Sequence, residues 1–266
     1  MKQRISTLGP LEVQFFALMQ LKSKNRVQTG DLQSSLGLSP KQERELLSRL
    51  SRKGLIVRVK RGIYLVPTKV PPGGKWMPNE YILIAELMKT LKAKYLVSGP
   101  AAFQYYGLTS QIPNVISVYN NKISGIKNLG NMKVQLIRVT PKRLGDWTTL
   151  KLPNRKSVRI STLARTILDA LYDWSRFNTI PRAYDWIRKY KNDGKFSNEL
   201  VSAALTYGNV STQRRLGYIF EQIGIDSRLV KKLRKIIPTS KGWIPLVPNL
   251  PVRGKINRDW GLVING

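Results

Sequence analysis

The sequence contains no cysteine and no histidine. Disulfides are therefore excluded, as are thiolate and imidazole ligands to a metal. Ser–His, Cys–His and other imidazole-based general-base arrangements are excluded with them. Acidic residues are scarce: 15 Asp and Glu stand against 46 Lys and Arg, a formal net charge of +31. Long apolar runs are lacking as well. The longest uncharged run, Tyr95–Asn121, contains Gly99, Pro100, Gly107 and Pro113, and it cannot cross a bilayer as one helix. Glu12 interrupts the first apolar stretch, so no targeting segment is read there. A cytoplasmic protein of a bacterium or archaeon, with no membrane partner, is expected.

What is present supports two domains rather than one. The chain has 266 residues, 42% of them hydrophobic, which suffices for a sizeable core and argues against global disorder. The positive charge is spread evenly. Residues 1–70 carry 14 basic and 4 acidic side chains, residues 71–160 carry 14 and 3, and residues 161–266 carry 18 and 8. No single tail accounts for the total. A polyanionic partner follows, because each phosphate neutralised releases a counterion. The alternatives are a solvated cationic surface and an anionic membrane, and no dominant basic amphipathic helix supports the latter.

The first seventy residues have a legible order. Gly9-Pro10 opens a helix with Pro at its first position, and Leu11, Phe15, Leu18 and Met19 share one face. This helix is expected to end near Lys24-Asn25. Thr29 is read as the N-cap of a short second helix, with Asp31 in its first turn and Gly37 as its left-handed stop. Ser39-Pro40-Lys41-Gln42 combines an N-cap, a first-turn Pro and a Gln at the capping-box position. A third helix is therefore predicted from Pro40 to Lys53, lodged by Leu46, Leu47 and Leu50. Its opposite face holds Lys41, Glu45, Ser48 and Arg52, flanked by Gln42, Arg44 and Arg49. Gly54 ends it, and two short strands follow around the basic turn Arg58-Val59-Lys60-Arg61-Gly62.

Two helices, a turn, a third helix and a two-stranded wing is the order of a winged helix-turn-helix. In that arrangement one helix enters the major groove, where Arg, Lys and Gln reach base edges. The expected DNA-binding set is Ser39, Lys41, Gln42, Arg44, Glu45, Ser48, Arg49 and Arg52 on the helix. Arg58, Lys60 and Arg61 complete it at the wing, against phosphate or the minor groove. A winged helix used only for protein contacts is the alternative.

Thr68–Pro78 reads TKVPPGGKWMP and is taken as a non-helical connector. The expected domains are thus 1–70 and 71–266. The second is read as α+β, strand-rich over 79–160 and helix-rich over 161–266. Strands are expected at Tyr95–Ser98, Val115–Tyr119, Val134–Val139 and Val158–Ile160, with closing strands at Trp243–Val247 and Trp260–Ile264. Helices are expected at Asn79–Leu91, Gly99–Gly107, Thr162–Trp174, Arg182–Tyr190, Asn198–Tyr207, Thr212–Ile223 and Leu229–Ile236. Asp169 lies four after Arg165, a spacing that allows an ion pair on one helix face. Arg214, Arg215, Lys231, Lys232, Arg234 and Lys235 form an expected second basic patch, open to phosphate or simply solvated.

Several segments together resemble the AbiEi-type antitoxins. Gly54–Pro67 (GLIVRVKRGIYLVP) is similar to that family's wing. Ser98–Leu108 (SGPAAFQYYGL), followed by Ile112-Pro113, resembles its small-residue helix. Ser161–Leu171 (STLARTILDAL) resembles its Arg-Thr…Asp segment. Gly208-Asn209, Arg215-Leu216-Gly217-Tyr218 and Glu221 with Gly224 resemble its Arg-Leu-Gly helix. Asn257–Asn265 (NRDWGLVIN) is similar to its closing Trp–Asn strand. The resemblance spans about residues 10–265. It implies a regulator that binds inverted repeats in its own operon's promoter, represses it, and counteracts a nucleotidyltransferase toxin encoded alongside. It does not require antitoxin and toxin to touch. The unusually high charge departs from the family and suggests that the second domain also meets nucleic acid.

No catalytic residue, cofactor or metal site is read. The rival class is a metal-dependent nuclease built on Asp193-Gly-Lys195 with Asp173 or Asp185. Asp193-Gly is, however, also an ordinary turn signal. Pro71–Lys75 lacks the strand–helix context and the Ser/Thr of a phosphate loop. A general DNA- or RNA-binding protein is the other class, with Tyr105, Tyr106, Tyr119 and Trp147 available to stack bases.

Overall fold

The structure, a computed structural model, describes residues 8–71, 75–152, 156–237 and 242–265. The Pro-Gly-Gly centre of the expected connector, 72–74, lies outside the described residues. The chain is mixed α+β, as the sequence implies.

The N-terminal elements are α1 (Pro10–Leu21), β1 (Arg26–Gln28), α2 (Gln33–Leu36), α3 (Pro40–Arg52), β2 (Val57–Lys60), β3 (Ile63–Leu65) and α4 (Glu80–Thr90). Then come β4 (Tyr95–Ser98), α5 (Pro100–Tyr105), β5 (Val115–Asn120), β6 (Gly125–Leu129), β7 (Met132–Arg138), a 3-10 turn at Pro141–Leu144, β8 (Trp147–Lys151) and β9 (Ser157–Ser161). The helical run is α6 (Leu163–Tyr172), α7 (Trp174–Phe177), α8 (Arg182–Lys189), α9 (Gly194–Tyr207), α10 (Val210–Gln222) and α11 (Ser227–Lys235). The strands β10 (Ile244–Pro245), β11 (Lys255–Asn257) and β12 (Leu262–Ile264) close the chain.

Two compact units result: Met1–Ala93 with Ile126–Val134, and Lys94–Gly125 with Gln135–Gly266. The boundary expected at 70/71 falls inside the first unit. The reason is that α4 packs on β2, and its Glu86 pairs with Arg26 of β1 at 3.0 Å.

In the first unit, Phe15, Phe16 and Met19 of α1 meet Leu46, Leu47 and Leu50 of α3, with Leu32, Leu55, Ile56 and Tyr64. The sheet order is β1-β3-β2, with both pairings antiparallel. β1 was not expected from sequence. α1 stops at Leu21, four residues early, because Ser23 takes a positive φ of 48° and the chain turns into β1. The second helix also starts later than expected. Thr29 does not cap it; the Thr29 N–H donates to the Gly62 carbonyl at 2.9 Å. Asp31 accepts from the Gln28 N–H at 2.8 Å and closes a turn ahead of α2.

In the second unit, strands run in the order β7-β5-β4-β9-β8. β4 is antiparallel to β5 and parallel to β9, and β8 is antiparallel to β9. β6 and β8 lack continuous apolar alternation, with exposure patterns that are nearly all solvent-facing, and sequence periodicity missed both. The helices pack around Leu168, Leu171, Leu200, Leu216, Phe220 and Trp260. A small sheet, β10-β12-β11, completes this core. The first closing strand is confined to Ile244–Pro245, and β11 is an addition to the expected set.

The motif residues of this unit prove to be its internal framework. Arg165 and Asp169, four apart on α6 and both fully buried, pair at 3.0 Å. Asp169 also accepts from Ser98 at 2.8 Å and from Arg143 at 2.9 Å. A Cβ at position 217 would overlap the Trp260 ring, so Gly217 permits that ring to seat on α10. The Trp260 indole N–H donates to Glu221 at 2.7 Å.

Candidate nucleic-acid interface

Helix α3 begins as its sequence dictates. The Ser39 side chain accepts from the Gln42 N–H at 3.3 Å, and the Gln42 side chain accepts from the Ser39 N–H at 2.9 Å. Gly37, at φ 62°, supplies the left-handed link from α2. Leu46, Leu47 and Leu50 are fully buried and fix the roll of the helix. Lys41, Gln42, Arg44, Glu45, Ser48, Arg49 and Arg52 are consequently exposed together, as predicted.

Two buried carboxylates hold this helix, and sequence reading gave neither a role. Glu43 is fully buried. It accepts from the Gly30 N–H at 2.8 and 2.9 Å, from the Leu32 N–H at 3.0 Å and from Gln33 Nε2 at 3.0 Å. It thus ties the β1–α2 turn to α3. The available signal was its position: Glu43 stands four before Leu47 and seven before Leu50, on the apolar stripe. Glu12 of α1 is also buried. It accepts from the Gly9 N–H at 3.1 Å at the start of α1, from Arg49 at 3.2 Å and from Lys53 at 2.8 Å. Burial raises its pKa, but the Lys53 and Gly9 hydrogen bonds, the Lys53 charge and Arg49 outweigh it. The carboxyl therefore titrates below the ordinary carboxylate range.

The roles within the expected DNA-binding set are therefore unequal. Ser39 and Gln42 spend oxygen atoms on the helix cap, and Arg49 is held by Glu12. Lys41, Arg44 and Arg52 are exposed and, among the described residues, form no ion pair. The acids of this unit that pair or cap point inward or into turns, which leaves the outer face of α3 strongly positive.

Strand β2 alternates, with Val57 and Val59 buried and Arg58 and Lys60 exposed, whereas Ile63, Tyr64 and Leu65 of β3 are all buried. A bulge between Arg58 and Lys60 bends β2 at its end. Gly62 turns the chain at φ 77°, where a Cβ would press the Thr29 hydroxyl at 3.1 Å. Arg61 is exposed at the tip. Arg58, Lys60 and Arg61, like the free cations of α3, form no ion pair among the described residues.

The second basic patch needs correction. Arg214 and Arg215 are buried. Arg214 donates to the Gly242 carbonyl at 3.0 Å, and Arg215 donates to the Pro245 carbonyl at 3.0 and 3.2 Å. Burial lowers the Arg215 pKa. Both bind the C-terminal chain rather than solvent, because their positions on α10 face the core side shared with Leu216 and Ile219. Arg234 is exposed but pairs with Glu221 at 3.1 Å and Asp259 at 3.4 Å. Lys231, Lys232 and Lys235 remain as exposed cations.

The carboxylates of the nuclease alternative are dispersed. Asp193 caps α9 by accepting from Phe196 at 2.9 Å, so it opens a helix that starts at Gly194 rather than near Asn198. Asp173 accepts from the Tyr119 hydroxyl, and Asp185 pairs with Arg188 at 2.7 Å. No cluster of three metal-ligating side chains occurs among the described residues. No helix among them is long and apolar enough to cross a membrane. Of the four aromatics considered for stacking, Tyr119 is buried and Tyr106 is half-buried against the Ser161 carbonyl at 2.8 Å. Tyr105 and Trp147 are exposed.

Helix α3 and the hairpin that follows it in sequence both expose cations that form no ion pair among the described residues. Residues 18–67 match the model of a family described as transcriptional regulator, AbiEi antitoxin. The matched segment covers less than half of the chain and runs from within α1 to the end of the hairpin. The motifs beyond Pro67 lie outside the match. In fold, the chain is similar to the RV2827C protein from Mycobacterium tuberculosis. The two share 13% sequence identity and a TM-score of 0.62 over 96% of this chain and 92% of that one. No curated protein matches the chain in sequence.

Proposed function

We propose that the first unit is a winged helix-turn-helix that binds duplex DNA, and that the protein represses its own operon as the antitoxin of a toxin–antitoxin pair. α3 is the recognition helix, laid in the major groove. Lys41, Arg44, Glu45, Ser48 and Arg52 face base edges. Arg58, Lys60 and Arg61 sit on phosphate or in the neighbouring minor groove. The observation that carries this reading is the exposed, unpaired cationic face of α3 opposite three buried leucines. The family match over 18–67 supports the regulator and antitoxin role. The operator would be an inverted repeat, and the functional partner a nucleotidyltransferase toxin counteracted with or without contact. The protein acts without catalysis of its own.

A gel-shift titration with the upstream DNA and a scrambled duplex tests the DNA claim. Preferential retardation of the upstream duplex, with affinity falling steeply with salt, is expected. Equal affinity for both reduces the protein to a nonspecific polyanion binder. Co-expression with the adjacent reading frame tests the antitoxin claim. Growth arrest by that neighbour that is not relieved by this chain removes it.

A further inference from the structure

Strand β8 is the terminal strand in its sheet order, and all of its residues but Leu150 are exposed. Register places Trp147, Thr149 and Lys151 opposite Ser161, Arg159 and Ser157 of β9. On the reverse side, Val158 and Ile160 are buried, so the Trp147–Arg159 side looks outward. Trp147 is 41% exposed, which is high for the largest apolar side chain. The Arg159 guanidinium lies over its ring at 4.4 Å. Tyr95, Trp147, Thr149, Ser157, Val158 and Arg159 line a shallow cavity of about 210 Å³. None of these six is acidic.

An exposed indole extended by a stacked guanidinium offers a planar, electron-rich and cationic surface. Unpaired bases stack on aromatic rings and on Arg planes, while adjacent cations take the phosphates. Duplex DNA offers no such base face, because its bases are stacked internally.

We infer that the outer face of β8 and β9 is a second nucleic-acid site, selective for single strands, in which Trp147 and Arg159 stack an unpaired base and Lys151 holds the flanking phosphate. The site is separate in sequence and chemistry from α3 and the wing, and it stands whether or not those bind duplex.

The experiment uses the full chain and fluorescence anisotropy. The probes are oligo-dT, oligo-U and an abasic oligomer of equal length and charge. With +31 on the chain, all three will bind to some extent, so the informative quantity is the preference for bases. The parent is expected to favour oligo-dT or oligo-U over the abasic oligomer by about fivefold or more, the range one base stack supplies. The dT and U arms separate DNA from RNA, and a preference in either supports the site. Trp147→Ala changes no charge and is expected to erase that preference while leaving abasic binding unaltered. Trp147→Phe keeps a stacking ring and should retain most of the preference, which separates stacking from misfolding. Lys41→Ala with Arg44→Ala should leave the preference intact. No preference in the parent overturns the inference, as does a preference that survives Trp147→Ala. Equal displacement of oligo-dT and abasic oligomer by polyglutamate also overturns it, since the patch would then read charge alone.

Discussion

The carboxylate of Glu43 receives the backbone N–H of Gly30 through both its oxygens, at 2.8 and 2.9 Å. A side chain of α3 thereby positions the turn that leads into α2. The same carboxylate also accepts from the Leu32 N–H at 3.0 Å, so it joins α3 to the start of α2. Gly30, at φ 107°, presents its N–H inward in a conformation that other residues adopt with strain.

Glu43→Ala is therefore expected to destabilise the first unit by about 2 kcal/mol, since buried backbone N–H groups lose their acceptor. Urea unfolding followed by a probe in the first unit measures it. Duplex affinity should fall as well, although Glu43 is far too buried to touch DNA. An unchanged midpoint would show that the turn is held by other contacts.

Lys41→Ala and Arg44→Ala should each weaken operator binding by about 1–3 kcal/mol and relax discrimination at one base position. Lys60→Ala should weaken all duplexes alike and reduce the salt slope by about one. Gel-shift titrations at several salt concentrations separate the two behaviours. Arg49→Ala is expected to affect stability as well as binding, because Arg49 is bonded to the buried Glu12.

Acid should loosen the α1–α3 contact through Glu12. Its folded pKa is lowered, so its contribution is complete above the ordinary carboxylate range and is lost as pH falls through that lowered value. Thermal unfolding between neutral and acidic pH is expected to show a smaller drop for Glu12→Gln than for the parent. At neutral pH the variant should already be the less stable of the two. Parallel pH curves for both would place the acid sensitivity elsewhere.

Asp169→Asn should cost about 3–5 kcal/mol, because it leaves the fully buried Arg165 without its counter-charge. Calorimetry of the full chain should show the loss in the second unit. If the proposed function holds, the Asn variant should keep operator binding by the first unit at temperatures where it remains folded.

Plasmid incubated with the protein and magnesium or manganese should stay intact. Asp193→Ala should instead reveal a capping role, costing about 1 kcal/mol of stability. Metal-dependent nicking abolished by Asp193→Ala would restore the nuclease reading.

Much of this molecule was written locally. Ser39, Pro40 and Gln42 set the start of α3, Leu46, Leu47 and Leu50 set its roll, and Gly62 set the hairpin turn. Each of these signals acts within a few residues, through capping geometry, helical period or a positive φ. The same locality made Arg165 and Asp169 readable as a pair. β1, by contrast, gave no signal, since three residues carry no period. β6 and β8 face solvent and lack the alternation that marks a half-buried strand.

Charge alone told which side chains were cationic and gave the chain its net charge of +31. It did not determine which cations are free. Arg214 and Arg215 looked like surface groups, yet distant carbonyls of Gly242 and Pro245 claim them. Arg49 looked like a base reader, yet Glu12, thirty-seven residues away, holds it. Glu43 had no role assigned from sequence, and the fold brings the Gly30 and Leu32 N–H groups to it. The sequence determined the helices, the hairpin and the sign of the field, because those follow from neighbouring residues and a sum of charges. Tertiary structure decided which charges remain unspent, because that depends on partners far along the chain that only folding brings within hydrogen-bond reach.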